Sequence, residues 1–170
     1  GKTWYSFDHL GCHFISYDST ILNSEFETNK KQMAWLKRDL MDAARKNAKH
    51  IFMFTHYPLY LEEPDEPVNR NNYYYNTDPP ARNEILAQVE QYNVSAVLVG
   101  HLHNGWLKSY KGTKMISAPG IIYEPAYRII EVYEDSIKIN EPVWPELARP
   151  LDEGEPDDKI VTELKPTGVT

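Results

Sequence analysis

Two apolar runs that each end in histidine decide the fold of this chain: IFMFTH at residues 51–56 and AVLVGHLH at residues 96–103. An unbroken apolar run of this length is typical of a strand that is buried on both faces of a parallel sheet. Parallel strands bring their carboxyl ends to one edge of the sheet, where open α/β sheets bind ligands. The sequence therefore predicts that His56, His101 and His103 lie at a ligand-binding edge.

The spacing of these histidines favours a metal site, because neutral imidazole nitrogens bind borderline divalent metals. His101 and His103 follow a strand directly and can reach one ion or two neighbouring ions. Gly100 lets the backbone turn sharply before them. His-x-His alone is a weak signal, and surface or core histidines are the alternative interpretation. The position of His56 after a second strand strengthens the metal hypothesis.

The other three histidines are predicted to be structural. His9 follows Asp8 in a polar turn, His13 lies half-buried inside a strand, and His50 begins a strand. Cys12 is the only cysteine of the 170 residues, so no internal disulfide can form, and its apolar surroundings predict a small core residue.

The hydrophobic periodicity around the two runs predicts an α/β fold, in which strands alternate with helices before a run of antiparallel β-structure. Alternating strands and helices imply parallel strands with crossover connections. The predicted strands cover residues 12–17, 50–55, 95–99, 106–110, 114–117, 128–133 and 136–140, and the predicted helices cover residues 27–47 and 81–92.

The composition excludes some functions. The net charge is −7 and the pI is near 5.4, so no basic patch for nucleic acid is evident. No apolar run reaches about 18 residues, so no membrane span is predicted. Acidic balance does not exclude anionic substrates, since bound divalent cations can reverse the local sign of charge.

Two segments lack regular patterning. Residues 59–80 contain four prolines, five acidic residues and the Tyr73–Tyr75 run, and a loop of this length is usually functional or mobile. From Glu141 onward proline and acidic residues dominate, which predicts an extended or disordered carboxyl-terminal tail. We therefore divide the chain into a domain over residues 1–140 and a tail over residues 141–170.

Several motifs resemble those of the calcineurin-like metallophosphoesterase superfamily. FTHYP at residues 54–58 is similar to its "histidine, any residue, proline" motif, and VGHLHN at residues 99–104 is similar to its Gly-His-x-His motif. The resemblance continues in chain order through residues 5–19, 32–36, 117–120 and 127–132. It implies the carboxyl-terminal half of a four-layer α/β/β/α sandwich, in a metal-dependent phosphomonoesterase or phosphodiesterase.

The resemblance also implies a site. Two metal ions, divalent or trivalent and drawn from Zn, Fe, Mn and Ni, activate water for in-line attack on the phosphorus of a phosphoester substrate. By position, His56 and His101 would bind one ion and His103 the other. No catalytic side chain is assigned in this chain. Substrate contacts are assigned to Tyr57, Asn104 and Tyr123, since they lie near the predicted metal edge.

The carboxylate ligands of the superfamily have no counterpart here. Asp8 and His9 are adjacent instead of being separated by one residue, and the sequence contains no Gly-Asp and no Asn-His pair. Two cations a few ångströms apart repel strongly unless carboxylates neutralise them. We therefore expect these residues to be the carboxyl-terminal portion of a larger assembly, with an amino-terminal segment or second chain supplying the carboxylates. This chain alone is expected to be inactive, and exposed apolar strand edges are expected where the other half of the sandwich is absent.

Two alternatives stay open. The chain can be a non-catalytic half-domain that serves as an interaction or scaffold module with vestigial histidines. A structural site with a single zinc ion would need a fourth ligand, and no cysteine lies near the three histidines.

Overall fold

The structure of the chain is a computed structural model that describes residues 3–22, 27–67, 76–120 and 125–144. Within these residues the chain forms strands, two α-helices and one short 3₁₀ turn. The strands are β1 Tyr5–His9, β2 Cys12–Ser16, β3 His50–Phe54, β4 Ala96–Val99, β5 Trp106–Tyr110, β6 Thr113–Ser117, β7 Ile130–Val132 and β8 Ile137–Ile139; the helices are α1 Glu27–Arg45 and α2 Pro79–Gln91; the 3₁₀ turn is Ser19–Ile21.

Six strands form one mixed sheet in the order β1-β2-β3-β4-β6-β5. The four central strands, β2, β3, β4 and β6, run parallel to one another. Strands β1 and β5 pair antiparallel with them at the two edges. Strands β7 and β8 form a separate antiparallel hairpin. The parallel centre and the added hairpins are those that the alternation of apolar runs and helical patterns predicts.

Local sequence signals begin and end the helices. Pro79 and Pro80 occupy the first positions of α2, where the missing backbone N–H costs no hydrogen bond. Helix α1 ends at Arg45, and Asn47 adopts a left-handed φ of 57°. The N–H of Ala48 donates to the carbonyl of Ala43 at 3.1 Å, which satisfies a carbonyl of the last turn.

Both helices cover one face of the sheet, which we call the helix-covered face. Side chains alternate along each strand, so Ile15, Met53 and Val97 all point to this side. Each of them is fully buried, with no exposed surface. They share one cluster with the apolar stripes of the two helices, which consist of Met33, Leu36, Leu40, Ala43, Ile85, Leu86 and Val89.

The opposite side carries a ladder of phenylalanines across β1, β2 and β3, which we call the aromatic face: Phe7, Phe14, Phe52 and Phe54. The ring centroids of Phe7 and Phe14 lie 5.0 Å apart, and those of Phe14 and Phe52 lie 5.2 Å apart. The β7–β8 hairpin packs part of this side through Ile130, Ile137 and Ile139. Among the described residues, apolar side chains of this face stay exposed, with Phe7 at 52%.

Some predictions need correction. Residues 5–9 form strand β1, so His9 ends a strand and does not lie in the polar turn that we predict. His13 is buried at 4% exposure, not half-buried, because α1 packs over it. Val143 forms an antiparallel bridge with Tyr127, so the predicted tail begins with paired backbone. Residues 68–75 of the predicted loop and residues 145–170 of the tail lie outside the described residues.

Cys12 is a buried core residue as predicted. In the part of the chain that the structure describes, neither helix has the length and apolar character that crossing a bilayer requires.

Candidate metal centre

The backbone brings the two histidine-bearing strand ends side by side. His56 follows β3 and His101 follows β4, and these strands are parallel neighbours. The pairing continues beyond the strands, because the N–H of Thr55 donates to the carbonyl of Leu98 at 3.0 Å. The N–H of Gly100 then donates to the carbonyl of His56 at 3.1 Å. The sheet itself therefore places His56 against the Gly100–His101 step.

The side chains of His56 and His101 meet at this edge. The Nε2 atom of His56 and the Nδ1 atom of His101 lie 3.2 Å apart, and their rings are nearly perpendicular. Two nitrogens bound to one zinc ion at tetrahedral angles lie about 3.3–3.4 Å apart. The pair can thus share either a proton or a metal ion, and its separation fits two ligands of the same ion.

The turn that follows β4 has unusual backbone geometry at both histidines. His101 and His103 adopt positive φ values of 70° and 59°. The N–H of Leu102 donates to the carbonyl of Gly100 at 2.9 Å, which closes the tight turn between them. Residues other than glycine rarely adopt this conformation, because it costs free energy. Backbone strain of this kind is often found at functional sites.

His103 lies against Gly120 on the far side of this turn. The N–H of Gly120 donates to the carbonyl of His103 at 2.8 Å. A Cβ atom at Gly120 would lie 2.7 Å from the Cβ of His103, so this close approach requires glycine. The side chain of His103 is exposed.

Among the residues that the structure describes, no group of three or more His, Cys, Asp or Glu side chains is arranged to hold a metal ion.

The predicted substrate contacts differ in their placement. Tyr57 lies in the pair's immediate surroundings, since its ring centroid is 4.7 Å from that of His101 in an edge-to-face arrangement. Its N–H donates to the hydroxyl of Ser19 at 2.8 Å, which ties this segment to the end of β2. Asn104 is exposed after the turn. Tyr123 lies outside the described residues.

Sequence reasoning missed the contribution of β2 to this edge. A cavity of about 370 Å³ beside His56 is lined by the residues that follow β2 and β3, including Asp18, Ser19 and Thr55. The signal was available, because the residues after β2 must reach the same carboxyl edge as those after β3. Asp18 therefore lines the same cavity as His56. Its side chain accepts a hydrogen bond from the N–H of Thr20 at 2.9 Å.

The chain is similar in sequence to known phosphatases. No family model matches the chain. The human serine/threonine-protein phosphatase CPPED1 is 28% identical over 129 residues, which cover 71% of this chain and 38% of that protein. Purple acid phosphatase 23 from Arabidopsis thaliana is 29% identical over 100 residues, which cover 59% of this chain and 19% of that protein. The chain thus spans well under half of the length of these curated relatives.

Solved structures show the same fold. The purple acid phosphatase PPD1 from yellow lupin matches 69% of this chain and 23% of its own, with a TM-score of 0.50 and 17% identity. GAP50 of Plasmodium, described as the anchor in the inner membrane complex, matches 68% of this chain and 37% of its own, with a TM-score of 0.51 and 20% identity.

The sequence matches and the fold agree with the motif resemblance to the calcineurin-like metallophosphoesterases. Its sheet is an α/β fragment of the sandwich that defines this class. The relatives that it matches in sequence are phosphatases.

Proposed function

We propose that this chain is part of a metal-dependent phosphoester hydrolase, in which His56 and His101 bind one metal ion and His103 contributes to a second. The observation that supports this most directly is the 3.2 Å separation of the two ring nitrogens at the carboxyl edge of parallel strands. Similarity to phosphatases over 129 residues supports the same reaction class. The imidazole donors suit Zn, Fe, Mn or Ni, as the resemblance implies.

The residues of this chain would position and orient the imidazole rings that hold the metal ions. His56 is held by the extended β3–β4 ladder and His101 by the tight turn after β4, so both rings are set in place before any ligand arrives. When bound, the metal ions would supply water activation and neutralise charge on the phosphoryl oxygens. The ring of Tyr57 packs edge-to-face against that of His101, and Tyr57 is proposed to contact the substrate.

The proposal includes a source for the missing negative charge. Three imidazoles bring no charge to offset two cations. We propose that an amino-terminal segment or second chain supplies the bridging carboxylates and covers the aromatic face, in a protein whose domain includes residues 1–140. The exposure of Tyr5, Phe7 and Phe54 supports this, because monomeric proteins seldom leave such patches uncovered. Residues 141–170 are proposed to be a tail outside that domain.

The alternative is a scaffold module with vestigial histidines. One observation favours it: the described residues contain no group of three or more potential ligands arranged around one point. A scaffold would use the same aromatic face for contact but would bind no metal at the sheet edge.

Metal binding to the chain, measured by zinc titration calorimetry and by metal analysis after dialysis, tests the proposal. His101→Ala should weaken zinc binding by tenfold or more, since it removes half of the imidazole pair. His9→Ala is the matched control, because His9 is an exposed histidine at the opposite edge of the sheet. Equal zinc affinity for both variants and the parent chain would contradict the assignment.

Hydrolysis of p-nitrophenyl phosphate and of bis-p-nitrophenyl phosphate by the full-length protein tests the reaction. Loss of turnover in His101→Ala but not in His9→Ala would support a hydrolase. Metal binding without turnover of either ester would favour the scaffold alternative.

A further inference from the structure

A second histidine cluster lies inside the fold, away from the candidate metal centre. His13 in β2 is buried at 4% exposure beneath helix α1. Its Nδ1 atom lies 2.6 Å from a carboxylate oxygen of Asp8 in β1, and its Nε2 atom lies 3.0 Å from a carboxylate oxygen of Asp39 in α1. We call Asp8, His13 and Asp39 the His13 clamp, because they join an edge strand, its neighbour and a helix.

The hydrogen-bond geometry sets the protonation state of this ring. An ionised carboxylate only accepts hydrogen bonds, and a neutral imidazole has only one N–H to donate. Both ring nitrogens of His13 face carboxylates, so both contacts are satisfied only when the ring is an imidazolium. The two carboxylates lie at opposite ends of the ring and cannot converge with it on one metal ion, which agrees with the lack of a three-ligand group among the described residues.

Every element packed against His13 contributes to this environment. From β1 comes Asp8, whose other oxygen lies 3.4 Å from the ammonium of Lys46. From α1 comes Asp39, which also accepts a hydrogen bond from the hydroxyl of Ser6 at 2.8 Å. From β3 the neighbour in register is the apolar Ile51. Two carboxylates therefore face the ring directly, and the ammonium of Lys46 is separated from the ring by Asp8.

The electrostatic consequence follows from these contacts. The bond to Asp39, and then the bond to Asp8, raise the pKa of His13 above its ordinary value of 6.5 although burial opposes this. The bond to His13 lowers the pKa of Asp8 below its ordinary value of 3.8. The raised pKa of a buried histidine means that folding favours its protonated form.

We propose that the His13 clamp is a proton-dependent tie that holds edge strand β1, and with it Phe7 of the aromatic face, to helix α1. Strand β1 pairs with β2 along one side only, and its polar contacts with α1 run from Ser6 directly to Asp39 and from Asp8 through His13 to Asp39. Loss of the proton leaves one ring nitrogen with its lone pair facing a carboxylate, which is repulsive. The edge of the aromatic face then loosens while the helix-covered core is unchanged.

The pH range over which the tie holds follows from the raised pKa of His13 and the lowered pKa of Asp8. The contribution of His13 is complete below its ordinary value of 6.5 and is lost as the pH rises through its raised pKa. The contribution of Asp8 is present above its ordinary value of 3.8 and is lost as the pH falls through its lowered pKa. Strand β1 is therefore held most firmly in mildly acidic solution and loosens toward alkaline pH.

Long-range ¹⁵N NMR of the histidine rings in the full chain tests the protonation state. His13 should show two protonated ring nitrogens at pH 6 and a titration midpoint above its ordinary value of 6.5. Asp39→Asn should lower this midpoint, because it removes the carboxylate that raises the pKa of His13 most. Asp42→Asn, on the exposed side of α1, should leave the midpoint unchanged. A neutral His13 at pH 6, or equal midpoints in the two variants, would overturn the proposal.

Hydrogen exchange of backbone amides tests the tie itself without relying on a variant. After correction for the intrinsic pH dependence of exchange, protection of the β1 amides should fall several-fold relative to the β4 amides as the pH rises through the His13 midpoint. Parallel loss of protection in β1 and β4 would mean that the whole domain loosens, and constant protection of β1 would mean that the clamp does not control the strand. Either result contradicts a local tie.

Discussion

The two faces of the sheet are built from the same strands but reach different states. Met53 and Phe54 are adjacent in β3 and point in opposite directions. Met53 lies on the helix-covered face and has no exposed surface, whereas Phe54 lies on the aromatic face and is 37% exposed. Since both residues are equally suited to a core, burial here depends on what covers each face and not on the strand itself. Within the described residues, the aromatic face is covered only in part, by the β7–β8 hairpin.

Truncating these two neighbours measures the difference. Met53→Ala should lower the free energy of unfolding by about 2–5 kcal/mol, because it leaves a cavity among side chains from both helices. Phe54→Ala should cost about 1–2 kcal/mol, since it removes a side chain that already contacts water. Denaturant unfolding followed by circular dichroism gives both values. Equal losses would break the distinction between the faces.

The uncovered aromatic side chains should be detectable directly. The parent chain should bind an apolar dye such as anilinonaphthalene sulfonate, and Phe7→Ser with Phe54→Ser should greatly reduce the fluorescence of the bound dye. Met41→Ser with Leu10→Ser is a control pair, because both side chains are exposed but lie outside this face. Unchanged fluorescence in the phenylalanine pair would show that the dye binds elsewhere.

The hairpin that covers part of the aromatic side should contribute a smaller stability. Ile137, the first residue of β8, is half-buried against the sheet, so Ile137→Ala should cost about 1 kcal/mol. Val132, in the paired strand β7, is 45% exposed and should tolerate alanine with little loss. Amide exchange in β7 and β8 should rise for the first variant only. An equal rise for both variants would mean that the hairpin does not use this side of the sheet for support.

The smallest effect concerns the solvent side of the same hairpin. The carboxylate of Glu131 accepts hydrogen bonds from Lys138, Tyr133 and Asn140, and the bond from Lys138 contributes most to lowering its pKa to about 2 from an ordinary 4.5. This stabilisation is present above pH 4.5 and is lost as the pH falls through about 2. Lys138→Ala should raise the pKa of Glu131 in a carboxyl ¹³C titration, and Lys46→Ala should not. No shift in Lys138→Ala would show that the cross-strand pair is unimportant.

The sequence predicted most of the sheet because its signals are local. Unbroken apolar runs identified β3 and β4, and the 3.6-residue pattern identified α1 and α2. Strand β1 was missed, because an edge strand is half-exposed and its polar residues Asp8 and His9 mask the alternation. The partners of Asp8 lie in β2 and just after the end of α1, as much as 38 residues away, and no local pattern encodes that distance.

The candidate site divides in the same way. The two apolar runs that end in His56 and His101 determined that imidazoles lie at the carboxyl edge, since any parallel arrangement of those strands requires it. Only the tertiary structure decided that a ring nitrogen of each histidine lies 3.2 Å from the other, and that Asp18 lines the same cavity as His56. It also decided that His103 lies against Gly120. Such contacts depend on strand register, on two positive φ values and on a glycine 17 residues beyond His103. Sequence order determines the elements, whereas packing between distant segments decides which side chains can act together.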